Sequence, residues 1–272
     1  MNSYKITVLV ENTAGKSGVI AEHGLAYFIE AGDEKILFDT GQGMALEHNA
    51  KKLGIDLHNL DALILSHGHY DHTGGLHLVS PKRVFAHPAV TESKFSRNPN
   101  GKIHSVAMPN VDRQALLAHP KWIRVEAPVE LSNGICITGP VPRLTDFEDT
   151  GGAFFCDTDC TVSDELLDDQ ALFFETSAGI VVVLGCAHSG VINTLRFIQT
   201  LTDHRPIHTV IGGMHLLHAD ENRMNRTVEE LRLLNVQHLM PCHCTGLPAI
   251  ARMWNEFPGQ CNPCFVGAII NE

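Results

Sequence analysis

The sequence predicts an α/β fold in which two mixed β-sheets pack face to face, with helices on the outside. Apolar strand-like runs alternate with amphipathic helical segments, and this alternation occurs in both halves of the chain. A chain of 272 residues is also long enough to bury a sizeable core within one domain. We therefore expect a single domain over residues 1–272.

The first half of the chain is predicted to be rich in strands. Its predicted elements are strands near 4–11, 24–30, 34–38, 61–65, 83–87, 122–127 and 134–138, and a helix over 44–53. Gly54 is expected to end that helix. The segment 88–109 is rich in Ser, Asn, Pro and Lys and is interpreted as a loop over the functional site. The irregular segment 139–169 is interpreted as an insertion that serves as a lid or a dimer contact.

The second half of the chain is predicted to begin with a hairpin and to continue with alternating helices and strands. Its predicted elements are a hairpin of strands 170–175 and 180–184, helices over 191–201, 224–234 and 247–254, and strands over 208–211 and 237–240. Asp220 is expected to cap a helix rather than to bind a metal.

The densest group of metal-binding side chains lies in the run from Ser66 to Gly75, directly after a buried strand. This run, Ser-His-Gly-His-Tyr-Asp-His-Thr-Gly-Gly, contains three imidazoles and one carboxylate within six residues. His67 and His69 point to the same side if the backbone is extended. Asp71 and His72 follow where the backbone turns, so they are expected to face a second point. The spacing predicts one loop that serves two metal ions.

Three further histidines come shortly after predicted buried strands. They are His188 in Gly-Cys-Ala-His-Ser-Gly, His215 in Gly-Gly-Met-His-Leu and His243 in Pro-Cys-His-Cys-Thr. Strand ends hold side chains more precisely than free loops do. We therefore expect His188 and His243 to be metal ligands, whereas for His215 a ligand role and an ordinary buried histidine are both open.

The motif at residues 67–72 resembles the His-x-His-x-Asp-His signature of the metallo-β-lactamase superfamily. The resemblance implies an αββα sandwich with two metal ions, one bound by His67, His69 and His188, and the other bound by Asp71, His72 and His243. The superfamily usually has a bridging aspartate between the last two histidine motifs, but this chain has only His215 there. Bridging by solvent alone, binding of one ion by His215, and a weak second site all stay open.

The role of Asp39 also follows from the resemblance, whereas the expected metal follows from the nitrogen-rich donor set with its carboxylate. Asp39, in Phe-Asp-Thr-Gly, resembles the first motif of the superfamily, an acid that accepts the N–H of a ligating imidazole, although a strand-end turn residue would look the same. Zn²⁺ is the expected ion, and Mn²⁺ and Fe²⁺ stay open. Either Asp71 or His215 is expected to handle protons during catalysis.

Two places are interpreted as substrate contacts. Ser189 and Gly190 precede a predicted helix, whose N-terminal N–H groups suit a phosphate, although helix capping alone explains a serine there. Lys94 and Arg97, in the predicted loop 88–109, are expected to be exposed and to hold an anionic substrate. A solvated surface loop is the alternative.

The eight cysteines are interpreted as thiols or metal ligands rather than as disulfides, because no secretory segment is apparent. Cys261 and Cys264 have the spacing of a metal knuckle, but Cys242 and Cys244 are too close together for an ordinary zinc ribbon. Buried thiols are therefore expected, with a structural zinc as the alternative.

The whole set of motifs resembles a narrower subgroup labelled 7,8-dihydropterin-6-yl-methyl-4-(β-D-ribofuranosyl)aminobenzene-5′-phosphate synthase. The motifs are Leu-Phe-Asp-Thr-Gly-Gln at 37–42, Leu-Ser-His-Gly-His-Tyr-Asp-His-Thr-Gly-Gly-Leu at 65–76, Gly-Cys-Ala-His-Ser-Gly at 185–190, Ile-Gly-Gly-Met-His-Leu at 211–216 and His-Cys-Thr-Gly at 243–246. These motifs specify the residues of a metal site well, but they give little information about the substrate.

Three functions follow as hypotheses. The leading one is a hydrolase that uses a metal-bound hydroxide on a small, anionic or phosphorylated substrate. The second is a transferase that joins a dihydropterin methylene to an aromatic amine with loss of pyrophosphate. The third is a metal-dependent sensor without turnover.

The composition of the chain limits the kinds of partner that it is expected to bind. The net charge of −11 argues against binding of a long nucleic acid, which needs clustered basic residues. The chain has neither a bilayer-length apolar run nor a signal-like N-terminus. We therefore expect a cytoplasmic protein with a small-molecule substrate and no membrane contact, and a homodimer stays open.

Overall fold

The structure, a computed structural model, describes residues 4–98, 100–131 and 134–271. The described strands are β1 Tyr4–Val10, β2 Ala26–Ala31, β3 Glu34–Phe38, β4 Ala62–Ile64, β5 Val84–Ala86, β6 Phe95–Arg97, β7 Ile103–Ser105, β8 Trp122–Arg124, β9 Val129–Glu130, β10 Ile135–Ile137, β11 Phe154–Phe155, β12 Leu172–Glu175, β13 Ile180–Leu184, β14 Ile207–Gly212, β15 His238–Pro241 and β16 Ile269–Asn271. The described α-helices are α1 Leu46–Leu53, α2 Tyr70–Thr73, α3 Asn110–Leu117, α4 Val191–Leu201, α5 Glu221–Leu233 and α6 Leu247–Glu256.

The chain folds into two compact units. The described residues of the first unit fall within 2–126, 153–164 and 265–272, and those of the second unit fall within 127–152 and 165–264. The prediction of a single domain stays a prediction.

The first unit contains a mixed sheet with the strand order β16-β1-β2-β3-β4-β5-β8. Strands β3, β4, β5 and β8 are parallel, and Phe38 of β3 pairs with Ile64 of β4. Parallel strands end at the same edge of a sheet. The residues that follow β3 and β4, namely Asp39 and the run from Leu65 to His72, therefore start from one edge.

The second unit also contains a mixed sheet, with the order β15-β14-β13-β12-β10-β9. Strands β13, β14 and β15 are parallel, and their last residues pair in register, Leu184 with Gly212 and Gly212 with Pro241. This register brings the segments that carry His188, His215 and His243 to one edge of the sheet. The predicted hairpin is confirmed, because β12 pairs antiparallel with β13.

Helices of the second unit bury apolar side chains against its sheet. Leu195 of α4, Val228 of α5 and Met253 of α6 lie in one cluster with Val182 of β13 and Val210 of β14. These apolar faces recur with the helical period that predicted the helices. Asp220 caps α5 as expected, because its carboxylate accepts the N–H of Arg223 at 2.7 Å.

The segment 88–109 differs from the predicted loop. It forms a hairpin, with β6 paired to β7, and β11 adds a third strand on the other side of β6. These strands are two or three residues long, too short for alternation to reveal them. Whether the segment acts as a lid stays a prediction.

The predicted fold class is confirmed at the level of mixed β-sheets combined with helices. Helix α3 and strand β16 are further elements that the sequence did not predict. Helix α3 buries Leu116 while Val111 is 54% exposed and Leu117 is 49% exposed, so its apolar stripe is weak. Strand β16 has only three residues. Among the helices formed by the described residues, none is long and apolar enough to cross a membrane.

Candidate metal centre

The first ligand group consists of His67, His69, Asp71 and His72, in the run that follows β4. All four residues are buried, and His67 and His72 have no exposed surface. His69 has an extended backbone and precedes α2, and the His67 and His69 rings lie 4.6 Å apart. An extended His-x-His followed by a turn is what the sequence predicted for this run.

Asp39 organises this ligand group from the end of β3. One carboxylate oxygen accepts the N–H of Ser66 at 2.7 Å. The other accepts the hydroxyl of Ser66 at 2.6 Å and the Nδ1–H of His72 at 2.7 Å. Because the Ser66 hydroxyl donates to Asp39, its oxygen accepts from Nδ1 of His67, which lies 2.9 Å away. Asp39 thus sets the orientation of two imidazoles, one directly and one through Ser66.

These hydrogen bonds determine which ring nitrogen is available to a metal. A neutral imidazole that carries its proton on Nδ1 presents the lone pair of Nε2. The contacts of His67 with the Ser66 hydroxyl and of His72 with the Asp39 carboxylate place a proton on Nδ1 of each ring. The Nε2 of His67 lies 3.0 Å from Nδ1 of His69, near the roughly 3.4 Å that separates two nitrogens on one tetrahedral zinc. The first ligand group therefore fits a divalent metal ion.

Asp71 follows the His-x-His segment, in the part of the loop that was expected to face a second metal ion. Its carboxylate is 3.2 Å from Nε2 of His23 and 3.8 Å from Nε2 of His72. His23 was missed by the sequence reasoning, because no motif surrounds it. The role of Asp71 as a ligand or as a proton carrier stays a prediction.

Gly68, between His67 and His69, is required by close packing. A Cβ at this position would overlap the carbonyl oxygen of Val90 and would lie 2.9 Å from Cε of Lys94. Any side chain would therefore push the His-x-His segment away from the backbone beside it.

The second ligand group consists of His188, His215 and His243. His188 is fully buried, and its Nδ1–H donates to the carbonyl of Thr150 at 2.8 Å, which again leaves Nε2 for a metal. The His188 and His215 rings are 4.2 Å apart. His215 and His243 both have positive φ, 47° and 50°, a conformation that costs energy outside glycine. A Cβ at Gly151 would overlap the His215 ring.

Two thiols join the second ligand group. Cys186, His188 and His215 have donor atoms within 4.8 Å of one another, and so do Cys186, His243 and Cys244. Burial raises the pKa of the Cys244 thiol, but a hydrogen bond with Cys186 and interactions with His215 and His243 together hold this pKa well below its usual value. The sequence reasoning missed Cys186, although it lies two residues before His188, the same spacing as in His67 and His69.

The predicted phosphate site at Ser189 and Gly190 is already occupied by the protein itself. The Glu148 carboxylate accepts the N–H groups of Ile192 and Asn193 in the first turn of α4, each at 2.9 Å. The N–H of Ser189 donates to Asp169 at 2.8 Å, and a Cβ at Gly190 would overlap Glu148. Burial raises the pKa of Glu148, although these N–H groups lower it. The N–H groups of Ser189, Ile192 and Asn193 are therefore bonded to carboxylates of the protein, and a substrate role for Ser189 and Gly190 stays a prediction.

Lys94 is not the exposed residue that the sequence suggested. It is 1% exposed and forms a buried ion pair with Asp164 at 3.0 Å. Arg97 is exposed, but its guanidinium donates to the carbonyl of Cys160 at 3.1 Å and lies over the ring of Phe155. Both side chains hold the hairpin of β6 and β7 to the segment around β11. A substrate role for Arg97 stays a prediction.

The other cysteines agree with the expectation of buried thiols. Cys242, Cys261 and Cys264 are buried, and the eight cysteines, all of which the structure describes, form no disulfide. Within the described part of the chain, no candidate metal group contains Cys261 or Cys264.

A cavity of about 500 Å³ lies in the first unit beside the hairpin of β6 and β7. Its lining includes Glu92, Ala107, Arg113 and Cys156. Ala107 forms a β-bridge with His69, so the cavity is close to the first ligand group. Sequence reasoning did not single out Arg113, because α3 had not been predicted.

Comparison with known proteins supplies the family context. Residues 19–190 match the family model described as "Metallo-beta-lactamase superfamily". A curated protein of Methanocaldococcus jannaschii, named 7,8-dihydropterin-6-methyl-4-(beta-D-ribofuranosyl)-aminobenzene-5′-phosphate synthase, is 29% identical over 99% of this chain and 97% of its own length. An uncharacterised protein of the same organism is 32% identical over 91% of this chain and 93% of its own length.

Solved structures agree with the family match. Tm1679, described as a metal-dependent hydrolase of the β-lactamase superfamily, has a TM-score of 0.84 and 31% identity, and the match covers 98% of each chain. The Zn²⁺-bound PqqB of Methylobacterium extorquens has a TM-score of 0.57 and 11% identity, over 98% of this chain and 99% of that one. The PqqB match shows a shared fold only.

Proposed function

The chain belongs to the metallo-β-lactamase superfamily, and from this premise we propose that it is a metal-dependent enzyme of the hydrolase type acting on a small anionic substrate. The observation that carries the proposal is the set of buried imidazoles whose Nδ1 atoms are engaged with protein oxygens. His67, His72 and His188 share this arrangement. Metal-ligating histidines typically donate their other ring N–H to a protein oxygen in this way.

Both ligand groups are proposed to bind divalent ions, with Zn²⁺ as the expected metal because the donors are nitrogen-rich and include thiols. When bound, such ions lower the pKa of water and polarise a scissile bond. The division of the ligands between two ions stays the prediction drawn from the family resemblance.

The chain's own residues have distinct tasks in this proposal. Asp39 and Ser66 keep protons on Nδ1 of His72 and His67, so that both Nε2 atoms stay unprotonated. Asp71 or His215 is proposed to accept and return protons. Asp71 has the more direct route to solvent, because it contacts His23, whose side chain is 58% exposed.

The cavity beside His69 is the proposed substrate pocket. Arg113 supplies a positive charge to its lining, and its Nε–H donates to the carbonyl of Thr91 at 2.9 Å, which positions the guanidinium. Guanidinium groups bind carboxylates and phosphates through paired hydrogen bonds. Glu92 lies in the same lining, so one acidic and one basic side chain line the pocket.

A second candidate is the transferase reaction, which the relative named as a synthase favours. In this reaction an aromatic amine attacks the methylene carbon of a dihydropterin, and pyrophosphate leaves with the bonding electrons. The same cationic site would stabilise the leaving group. A transferase must exclude water, whereas a hydrolase must admit it.

The test uses the purified full-length chain, stripped with a chelator and reloaded with zinc or manganese. We expect metal-dependent hydrolysis of small phosphodiester or ester substrates, and its loss in His72→Ala. His58→Ala is the matched control, because His58 is an exposed histidine of the same unit. Arg113→Ala is expected to raise KM for anionic substrates and to leave metal content unchanged.

The transferase reaction is tested in parallel with a dihydropterin pyrophosphate and an aromatic amine. Condensation with release of pyrophosphate, without hydrolysis of the phosphodiester and ester substrates, would favour the transferase reaction over the hydrolase reaction. Hydrolysis that survives chelation, or that is equal in His72→Ala and the parent, would contradict the metal-dependent proposal.

A further inference from the structure

Cys186 is the donor common to the two candidate donor sets whose members all lie in the second unit. Its Sγ lies within 4.8 Å of the donor atoms of His188 and His215, and equally within 4.8 Å of those of His243 and Cys244. A zinc ion holds sulfur at about 2.3 Å and nitrogen at about 2.0–2.1 Å. Donors this close to one another need only small shifts to meet on one ion.

The position of Cys186 in the fold is fixed independently of any metal. It follows β13, is 2% exposed, and its carbonyl oxygen accepts the Sγ–H of Cys244 at 3.7 Å. Gly213, which follows β14, donates its N–H to the carbonyl of Gly185 at 3.0 Å. The backbone around the thiol is therefore held from two sides.

The family usually provides a bridging aspartate, and in the strand-end motif between those of His188 and His243 this chain has His215 instead. We propose that the thiolate of Cys186 is a metal ligand shared by two donor sets, one with His188 and His215 and the other with His243. Cys244, whose Sγ–H donates to the carbonyl of Cys186, is not a ligand in this proposal. The inference rests on the proposed function, because it needs a metal-binding chain. It explains how the chain keeps a shared anionic ligand without that aspartate.

A thiolate ligand changes the expected metal preference. Thiolates favour zinc over magnesium and manganese, and metal binding removes the thiol proton. The chain should therefore prefer Zn²⁺ and Co²⁺ to Mn²⁺ more strongly than a relative with only histidine and carboxylate ligands.

The test is the absorption spectrum of the full-length chain loaded with Co²⁺. A cobalt–thiolate bond gives an intense charge-transfer band in the near ultraviolet, whereas cobalt bound by nitrogen and oxygen gives only weak visible bands. We expect the intense band in the parent, its loss in Cys186→Ser with the visible bands retained, and its persistence in Cys244→Ser. Cys136→Ser is the control, because Cys136 is a thiol of the same unit outside both donor sets.

Cys186→Asp is the second variant, chosen in case the serine variant does not fold. It should bind cobalt without the charge-transfer band and keep the same number of ions as the parent. Zinc-edge X-ray absorption of the parent should independently show sulfur in the coordination shell.

The alternative outcomes are distinguishable. A band that persists in Cys186→Ser, or that disappears only in Cys244→Ser, would overturn the assignment to Cys186. A parent that binds cobalt with no such band would overturn the thiolate ligand while leaving the proposed function intact. A parent that binds neither cobalt nor zinc would remove the proposed function itself, and this inference with it.

Discussion

Asp39→Asn is the sharpest test of how the first ligand group is organised. Asp39 has no exposed surface, and its carboxylate accepts hydrogen bonds from two groups of Ser66 and from Nδ1 of His72. Asparagine has nearly the same shape, but one of its two acceptor atoms becomes an NH₂ donor. If that NH₂ faces His72, the imidazole must move its proton to Nε2, the nitrogen proposed to bind the metal.

The expected loss can be estimated from these contacts. A hydrogen bond to a charged group contributes about 1.5–3 kcal/mol, and loss of a carboxylate that orients a ligating histidine lowers metal affinity roughly 10–100-fold. That range corresponds to about 1.4–2.7 kcal/mol. We therefore expect Asp39→Asn to lower zinc affinity by about 10–100-fold. Ser66→Ala, which keeps the contact between Asp39 and His72, should lower it less.

The assay is competition for zinc with a chromogenic chelator, together with urea unfolding of the metal-free chain. Asp61→Asn is the matched control. Asp61 also accepts hydrogen bonds from a main-chain N–H, that of Lys35, and from a side chain, that of Lys82, but it contacts no histidine of either ligand group. Zinc affinity in the control should stay within about twofold of the parent, since surface ion pairs contribute little.

Equal zinc affinities for Asp39→Asn and Asp61→Asn would refute this reasoning. The same conclusion would follow if Ser66→Ala lost more affinity than Asp39→Asn, because the carboxylate would then not be the group that orients both rings.

Three other predictions concern stability and metal content. Lys94→Met should lower the free energy of unfolding by about 3–5 kcal/mol, because it removes the ammonium that pairs with the buried Asp164 carboxylate. The double variant with Asp164→Leu should recover most of this loss in urea unfolding, and no recovery would argue against a buried pair. Burial raises the pKa of Glu148 above its ordinary 4.5, so as pH rises from 4.5 through the raised value the unfolded state loses its proton first and stability falls. In Glu148→Gln, the part of this fall in stability that comes from Glu148 should be missing when unfolding is measured as a function of pH. Identical pH profiles for the variant and the parent would contradict the raised pKa of Glu148. His69→Ala should lose most bound metal, measured by elemental analysis after dialysis, whereas Cys261→Ala should keep it; equal losses would favour a structural cysteine site.

The sequence alone determined the longer sheet-forming segments of both units and the residues at their strand ends. Long buried strands such as β13 are continuous apolar runs, and amphipathic helices such as α4 repeat with a 3.6-residue period. The His-x-His-x-Asp-His motif and the Phe-Asp-Thr-Gly motif are local in sequence. Through their resemblance to the superfamily, these motifs predicted His67 and His72 as metal ligands and Asp39 as an acid that accepts the N–H of a ligating imidazole, without specifying which imidazole.

The sequence did not reveal the short strands, nor which charged side chains are buried. Strands β6, β7 and β11 have two or three residues, too few for a pattern. The exposure of Lys94 was predicted wrongly because burial of a lysine depends on a distant acid, Asp164, which lies 70 residues away. Composition alone suggests that such a lysine is an exposed surface charge. The ion pair between Lys94 and Asp164 is seen only in the folded chain.

The tertiary structure alone decided which donors meet. The parallel register of β13, β14 and β15 brings Cys186, His188, His215 and His243 to one edge, although they are spread over 58 residues. The same fold places Glu148 at the start of α4 and so occupies the predicted phosphate site. Contacts between residues far apart in sequence depend on strand pairing and chain path, which local spacing does not encode.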